Sequence, residues 1–321
     1  MYYRISTPAR LHFALINQSG MLGRCNGGFG VSISKPVWDI EVSHSDILTF
    51  QGNEICAEQK KSIKILIDKF SDYIGTNSIQ LHFNSIIKSH CGFGSKTSLL
   101  LSVAQLINHL FELRLSHAEL INITGRGGTS GVGINLFENG GFVVDNGHVY
   151  KHGQPFLPSS YPMLSPAKKI FSLKNNIFKI IFFRFSEGKY FGQRKNYCFK
   201  HIVLWMLVTR GISYVVFFFK LSQLSLRMII THYRWVCKEI QGIGFKKIEW
   251  EHQGATEREF LKYWNDKNGD SALCLSSIGP GLFYIGTEID KAISTIEGFH
   301  QRPLEMIVSE IDNKGAQVDK S

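Results

Sequence analysis

One short stretch limits how this chain can fold more than any other. Ile79, Leu81 and Phe83 alternate with Gln80, His82 and Asn84, the period-two pattern of a half-buried strand. His90-Cys91-Gly92-Phe93-Gly94-Ser95-Lys96-Thr97 follows, and then Ser98–Leu113, an apolar helical segment with Leu99, Val103, Leu106 and Leu110 along it. A strand, a glycine-rich turn and a helix in that order point the free N–H groups of a helix N-terminus at an anion. Glycines let such a ligand reach the backbone, and Lys96 adds a mobile cation. The loop is not a Walker A sequence, which needs four residues between its first glycine and Gly-Lys-Ser/Thr. Nor does it complete Gly-x-Gly-x-x-Gly, because Thr97 stands where the third glycine belongs. Taken alone it reads either as a phosphate loop or as a plain helix-capping turn.

Further cations fall in similar settings. Gly125-Arg126-Gly127-Gly128-Thr129-Ser130-Gly131-Val132-Gly133 holds five glycines in nine residues, with one arginine and two hydroxyls, and reads as an anion nest or a flexible loop. In Ala9-Arg10-Leu11-His12-Phe13, alternation puts Arg10 and His12 on one strand face, lining a site or facing solvent. Gly23-Arg24 sits in a glycine-flanked loop where a guanidinium fork suits a phosphate. Together Arg10, Arg24, Lys96 and Arg126 predict a polyanionic ligand. The sequence has no His-Glu-x-x-His, no metal-spaced histidine pair, no Gly-x-Ser-x-Gly elbow and no RNA-binding aromatic signature, which counts against hydrolase and metalloprotease chemistry.

The 321 residues suffice for one large or two modest domains. Pro155, Pro158, Pro162 and Pro166 mark a connector, so a division into 1–160 and 161–321 is expected. In the first part, Ile5–Ile16 reads as a strand pair with an interruption, Val31–Ser34 as extended, and Ala57–Ile74 as an amphipathic helix. Ser116-His117-Ala118-Glu119 reads as a capping box, and Gly141–Asp145, Asn146-Gly147 and His148–Tyr150 as a hairpin. In the second, Ile177–Phe185 and Lys247–Glu251 read as strands, and Leu224–Ile240, Thr256–Trp264 and Ile289–Gly298 as helices. Leu273–Ser277 and Leu282–Ile285 are extended around Gly279-Pro280-Gly281, and Asp312–Ser321 is polar and expected to fray. Alternating pieces without a repeated βαβ period indicate an α+β fold.

Hydrophobic residues at 44% and charged residues at 19% exclude wholesale disorder and a multi-pass membrane protein. Charged and polar residues interrupt the first thirty positions, and six scattered cysteines form neither a zinc pattern nor a disulfide framework, so a cytoplasmic location is expected. The net charge of +10 is concentrated: Met163–Lys247 carries 16 basic and 2 acidic residues, leaving 20 basic and 24 acidic elsewhere. That segment is also aromatic, which keeps open a non-catalytic protein docking on nucleic acid or an anionic membrane. Its stretch Ile202–Phe219 is nearly apolar but contains Arg210, which favours buried structure over a membrane span.

The motifs resemble, in the same order, those of the beta-ribofuranosylaminobenzene 5'-phosphate synthase family. The matching segments are Ala9–Phe13, Gly23-Arg24, Gly27-Gly28-Phe29-Gly30-Val31, His90 with Gly92–Thr97, Gly125–Gly131, Gly140–Asp145, Pro158-Ser159-Ser160 and Ser276–Pro280. The resemblance covers residues 4–160 well and 236–286 more loosely, with Asn17 where the family commonly has Asp and few acidic residues in 186–235. It implies a GHMP-kinase-like fold, an N-terminal domain like ribosomal protein S5 followed by a ferredoxin-like α+β domain. It also implies coupling of phosphoribosyl pyrophosphate to an aromatic acid with loss of CO2 and pyrophosphate, aided by Mg²⁺, and it tilts towards a homodimer. Under that reading Arg24, Lys96, Arg126 and His12 are the catalytic group. Arg10, His90, Gly92, Gly94, Ser95, Thr97, Gly127, Gly128, Ser130, Ser159, Ser160 and Ser277 bind substrate. The alternative in the same superfamily is a small-molecule kinase using ATP and Mg²⁺, with Glu138 or Asp145 as metal or base groups.

Overall fold

Two long strands organise the first half of the chain. In the computed structural model, β1 (Tyr2–Ile16) runs antiparallel to β3 (Gly27–His44), the two-residue β2 (Arg24–Cys25) standing between them in sequence. The described residues are 2–16, 24–75, 78–128, 130–149, 167–174, 176–185, 237–242, 244–268, 271–276, 280–300 and 304–320. Irregularities at Pro8/Ala9 and His12/Ala14 bend β1 without ending it, so the expected strand pair is one bulged strand. Ile5, Leu11 and Phe13 on its inner face are wholly buried, while Arg10 and His12 point the other way and are only partly covered.

Then come β4 (Thr49–Gly52), α1 (Ala57–Ile74), β5 (Ile79–Ser85), α2 (Ser95–Leu110), α3 (His117–Thr124), α4 (Val132–Asn139), β6 (Phe142–Asp145), β7 (His148–Val149) and β8 (Lys169–Leu173). α1 takes the expected bounds, ending at Gly75 in the left-handed region, and α3 carries the expected capping box between Ser116 and Glu119. α2 starts earlier than its apolar run suggested and is covered on nearly every side. The Trp38 indole donates to the Ser95 carbonyl at 3.2 Å, fastening the start of α2 to the sheet. The expected hairpin after Phe142 does not form: β6 pairs with β3 and β8, whereas β7 pairs with β2. Gly147, at φ +68°, turns the chain out of the large sheet instead of back onto β6.

The second half supplies β9 (Lys179–Phe183), α5 (Gly244–Glu251), α6 (Ala255–Asn268), β10 (Leu273–Leu275), β11 (Leu282–Gly286), α7 (Ile289–His300), β12 (Met306–Glu310) and β13 (Gln317–Lys320). β9 to β12 form an antiparallel sheet in the order β12-β9-β11-β10, the ferredoxin-like arrangement of a split βαβ. The fold is of the α+β class, with the ferredoxin-like second sheet that the resemblance implies. Its large sheet is completed by β8 and β13, both beyond residue 160.

Two expectations fail in this half. Lys247–Glu251 is helical, because Lys246, Glu249 and Trp250 are the residues it buries, a spacing of three and four that a strand cannot place on one side. Residues 317–320 do not fray but pair with Tyr3–Ser6 along the edge of β1, and their polarity is that of an edge strand. Of the expected helix Leu224–Ile240, only residues 237–240 lie among the described residues, and they are helical.

Candidate active site

Gly92 and Gly94 adopt φ of +90° and +65°, so the loop before α2 turns through conformations that L side chains rarely take. Gly94 is the N-cap of α2, and its surroundings show what the loop covers. A Cβ added there would stand 2.6 Å from both Cζ and Nε of Arg10. One added to Gly133, in the first turn of α4, would stand 2.8 Å from the same Nε. Arg10 is thus threaded between the two glycine clusters, with its backbone N–H donating to the Phe93 carbonyl at 3.2 Å.

Arg126 reaches the loop from the other cluster. Its Nε and Nη2 donate to the Thr97 Oγ1 at 3.2 and 3.0 Å, and it is 8% exposed. Burial lowers both guanidiniums to about 10, and for Arg10 the neighbouring charge of Arg126 adds to the effect. Both remain charged at neutral pH. Neither forms an ion pair with a carboxylate among the described residues, and the buried Nε of Arg10 has no hydrogen-bond partner. Buried charges are normally paired, so two adjacent guanidiniums without a counter-ion among the described residues make an environment suited to an anion.

His12, next along the same strand face, lies beside Gly28 and Ser130: a Cβ on Gly28 would stand 3.0 Å from His12 Nε2 and 2.7 Å from Ser130 Oγ. Burial, then Arg10 and Lys246, hold the imidazole well below its usual range, so it is neutral at pH 7. Ser130 donates to Asp145 Oδ2 at 3.2 Å and accepts from the Val132 N–H at 3.2 Å. Asp145 is wholly buried and gathers the N–H of Gly147 at 2.8 Å together with those of Gly28 and Gly131. Burial pushes its carboxyl up to about 7 against the pull of these donors.

A raised acid pKa favours the fold at low pH, and that contribution fades as pH rises from the unfolded value of 3.8 to about 7. Asp145→Asn lacks this slope. Its stability deficit against the wild type should therefore shrink by up to about 1.4 kcal/mol per pH unit across that window, in urea titrations at several pH values. A gap that stays constant or widens would contradict the assignment.

Arg24 is held at the same turn, donating to the Asn146 carbonyl and Oδ1, both at 3.0 Å, and to the Gly147 carbonyl at 2.7 Å. Lys96 points to α1, where Glu58 Oε1 accepts from its Nζ at 3.3 Å, while Glu58 Oε2 lies 2.8 Å from His90 Nε2. The structure thus brings Arg10, Gly94, Thr97 and Arg126 into one contact set, and His12, Ser130 and Asp145 into a second. Lys96 and His90 meet at Glu58, and Arg24 sits at the 146–147 turn. Gly127 packs against Ile134, Gly128 is buried, and Ser95 is buried at the start of α2. Ser159, Ser160 and Ser277 lie outside the described residues.

Sequence reasoning assigned no site role to Glu58 or Lys246, and it named Ser276 only within the matching segment Ser276–Pro280, with the neighbouring Ser277 taken as the binding residue. Ser276 donates to the Gly92 carbonyl at 2.7 Å and accepts from the His12 N–H at 3.4 Å, joining the ferredoxin-like sheet to both motifs. Lys246, in α5, is the source of part of the positive field at His12. Among the described residues no three His, Cys, Asp or Glu side chains assemble as a metal site. Nor is any described helix long and apolar enough to cross a membrane.

The beta-ribofuranosylphenol 5'-phosphate synthase of Archaeoglobus fulgidus is 30% identical to this chain over 321 residues, covering 98% of this chain and 99% of that protein. This chain belongs to that synthase family. The Methanocaldococcus jannaschii synthase is 29% identical over 330 residues, covering 98% of this chain and 99% of that one. Residues 60–137 match the family described as the GHMP kinases N terminal domain, the stretch that runs from α1 through the glycine loop into α4. Among solved structures, mevalonate diphosphate decarboxylase from Staphylococcus aureus superposes with a TM-score of 0.66 at 11% identity, covering 99% of this chain and 98% of that one. That likeness is one of fold. The chain is an enzyme of the synthase family, a transferase on the GHMP scaffold.

Proposed function

We propose that the protein joins phosphoribosyl pyrophosphate to an aromatic carboxylate of the 4-hydroxybenzoate or 4-aminobenzoate type, releasing pyrophosphate and CO2. The observation that supports this best is the pair of adjacent guanidiniums behind the glycine loop, Arg126 buried and Arg10 partly covered with its Nε buried, an environment suited to a leaving group that gains negative charge. In the first step the bond from ribose C1 to the pyrophosphate oxygen breaks, and the electron pair leaves on that oxygen. Arg10 and Arg126 accept the developing charge, with Thr97 fixing the orientation of Arg126. The ring carbon bearing the carboxylate then bonds to C1. Cleavage of the ring–carboxylate bond returns its electron pair to the ring, restoring aromaticity as CO2 departs. His12, neutral and fixed beside Ser130 on the same face as Arg10, orients the acid without adding charge. Mg²⁺ belongs to this proposal as a companion of the substrate's phosphate oxygens, a common mode for that ion, and no step depends on it.

Thermal shift with phosphoribosyl pyrophosphate and with ATP at equal concentration, each with Mg²⁺, tests the reading, because a ligand binding only the folded state raises stability by mass action. The expected result is a shift with phosphoribosyl pyrophosphate that is lost in Arg126→Met, followed by CO2 release when 4-hydroxybenzoate is added. A shift with ATP alone, with ATP turnover, would move the assignment to a kinase. No shift with either, and salt-sensitive binding of RNA or anionic vesicles, would favour the non-catalytic reading.

A further inference from the structure

The cations around the glycine loop are treated unequally. Arg10 and Arg126 have no described carboxylate, yet Lys96 is matched by Glu58 at 3.3 Å. The second Glu58 oxygen lies 2.8 Å from His90, and this contact, ahead of Lys96, holds the Glu58 carboxyl below its usual range. Lys96 stands in the first turn of α2, where the positive end of the helix dipole disfavours a cation and where no acidic side chain of α2 offsets it. Glu58 comes instead from the first turn of α1. All three groups are open to exchange, with side chains 48% exposed for Lys96, 50% for Glu58 and 27% for His90.

From this we infer that Glu58 occupies the outer mouth of the loop in place of a ligand's anionic oxygen, and that it sets how tightly the site takes a polyanion. A ligand seated against the arginines recruits Lys96 only by displacing the Glu58 carboxylate. Glu58 is a specificity-determining residue that weakens binding of any anion unable to compete for Lys96. The inference rests on the anion site of the proposed function but concerns a residue outside it.

Isothermal titration of inorganic pyrophosphate into the wild type, Glu58→Gln, Lys96→Gln and the double variant tests it. An exposed ion pair is worth little to stability, so the ligand-free melting temperature of Glu58→Gln should move by less than about 3 °C. Its pyrophosphate affinity should rise about three- to tenfold, and the gain should vanish when Lys96 is also replaced. Equal or weaker binding by a folded Glu58→Gln, or a gain that survives in the double variant, would overturn the inference while leaving the anion site standing. Absence of pyrophosphate binding in both wild type and Glu58→Gln would overturn the two readings together.

Discussion

Arg10→Met should melt higher than the wild type in the absence of ligand and lose its response to pyrophosphate. Arg10 carries a charge into a space framed by Gly94 and Gly133, with a second guanidinium close enough to lower its pKa further and with its Nε unbonded. A methionine follows the same unbranched path between the glycines without the charge. Removing a partly covered charge that has no carboxylate partner among the described residues should stabilise the empty protein by about 1–3 kcal/mol, which is the order implied by a pKa lowered from 12.5 to about 10. The same change removes one of the two groups to which the proposed function assigns anion binding. Opposite signs in the two measurements separate a ligand-binding arginine from a packing one, since loss of a packing residue lowers both. A lower ligand-free melting temperature with pyrophosphate binding intact would refute this role.

The reverse behaviour is expected of Lys246. Its Nζ lies 2.6 Å from Glu249 Oε2 and donates to the Leu275 carbonyl at 2.8 Å, and both side chains are 1% exposed. Lys246→Met withdraws the ammonium from a carboxylate that stays buried, which should cost about 3–5 kcal/mol in urea unfolding. The double change Lys246→Met with Glu249→Leu removes both charges and should recover most of that loss. A double variant as unstable as the single one would show that packing, rather than charge, fixes α5. Pyrophosphate titration of the recovered double variant would then report what Lys246 contributes to the field at His12.

What the residues disclosed and what they hid divides along physical lines. The strand–loop–helix unit around Gly92–Thr97 was legible because its signals are local: alternation in β5, two glycines with positive φ, and an apolar helix behind them. Alternation likewise placed Arg10 and His12 on one face, although only the packing of Gly94, Gly133 and Gly28 showed that this face is covered. The contact of Arg126 with Thr97 and that of Lys96 with Glu58 bridge segments far apart in sequence, and no spacing rule reports them. β12 and β13 were hidden for a related reason. Short strands without strict alternation take their identity from the neighbour they pair with, β9 in one case and β1 in the other. α5 was misread because five residues are too few to distinguish periods of two and three to four.

The pairing of β13 with β1 has a kinetic consequence. Tyr3 meets Lys320 and Ser6 meets Gln317, so the strand that bears Arg10 and His12 completes its hydrogen bonding with residues from the far end of the sequence. Contacts of that range form slowly, because a very large loop must close before they bring any gain. Until it closes, the outer edge of β1 offers unsatisfied N–H and C=O groups to any other chain. Refolding from denaturant should accordingly be concentration-sensitive, with yields that improve on dilution or when a soluble peptide of the β13 sequence shields that edge.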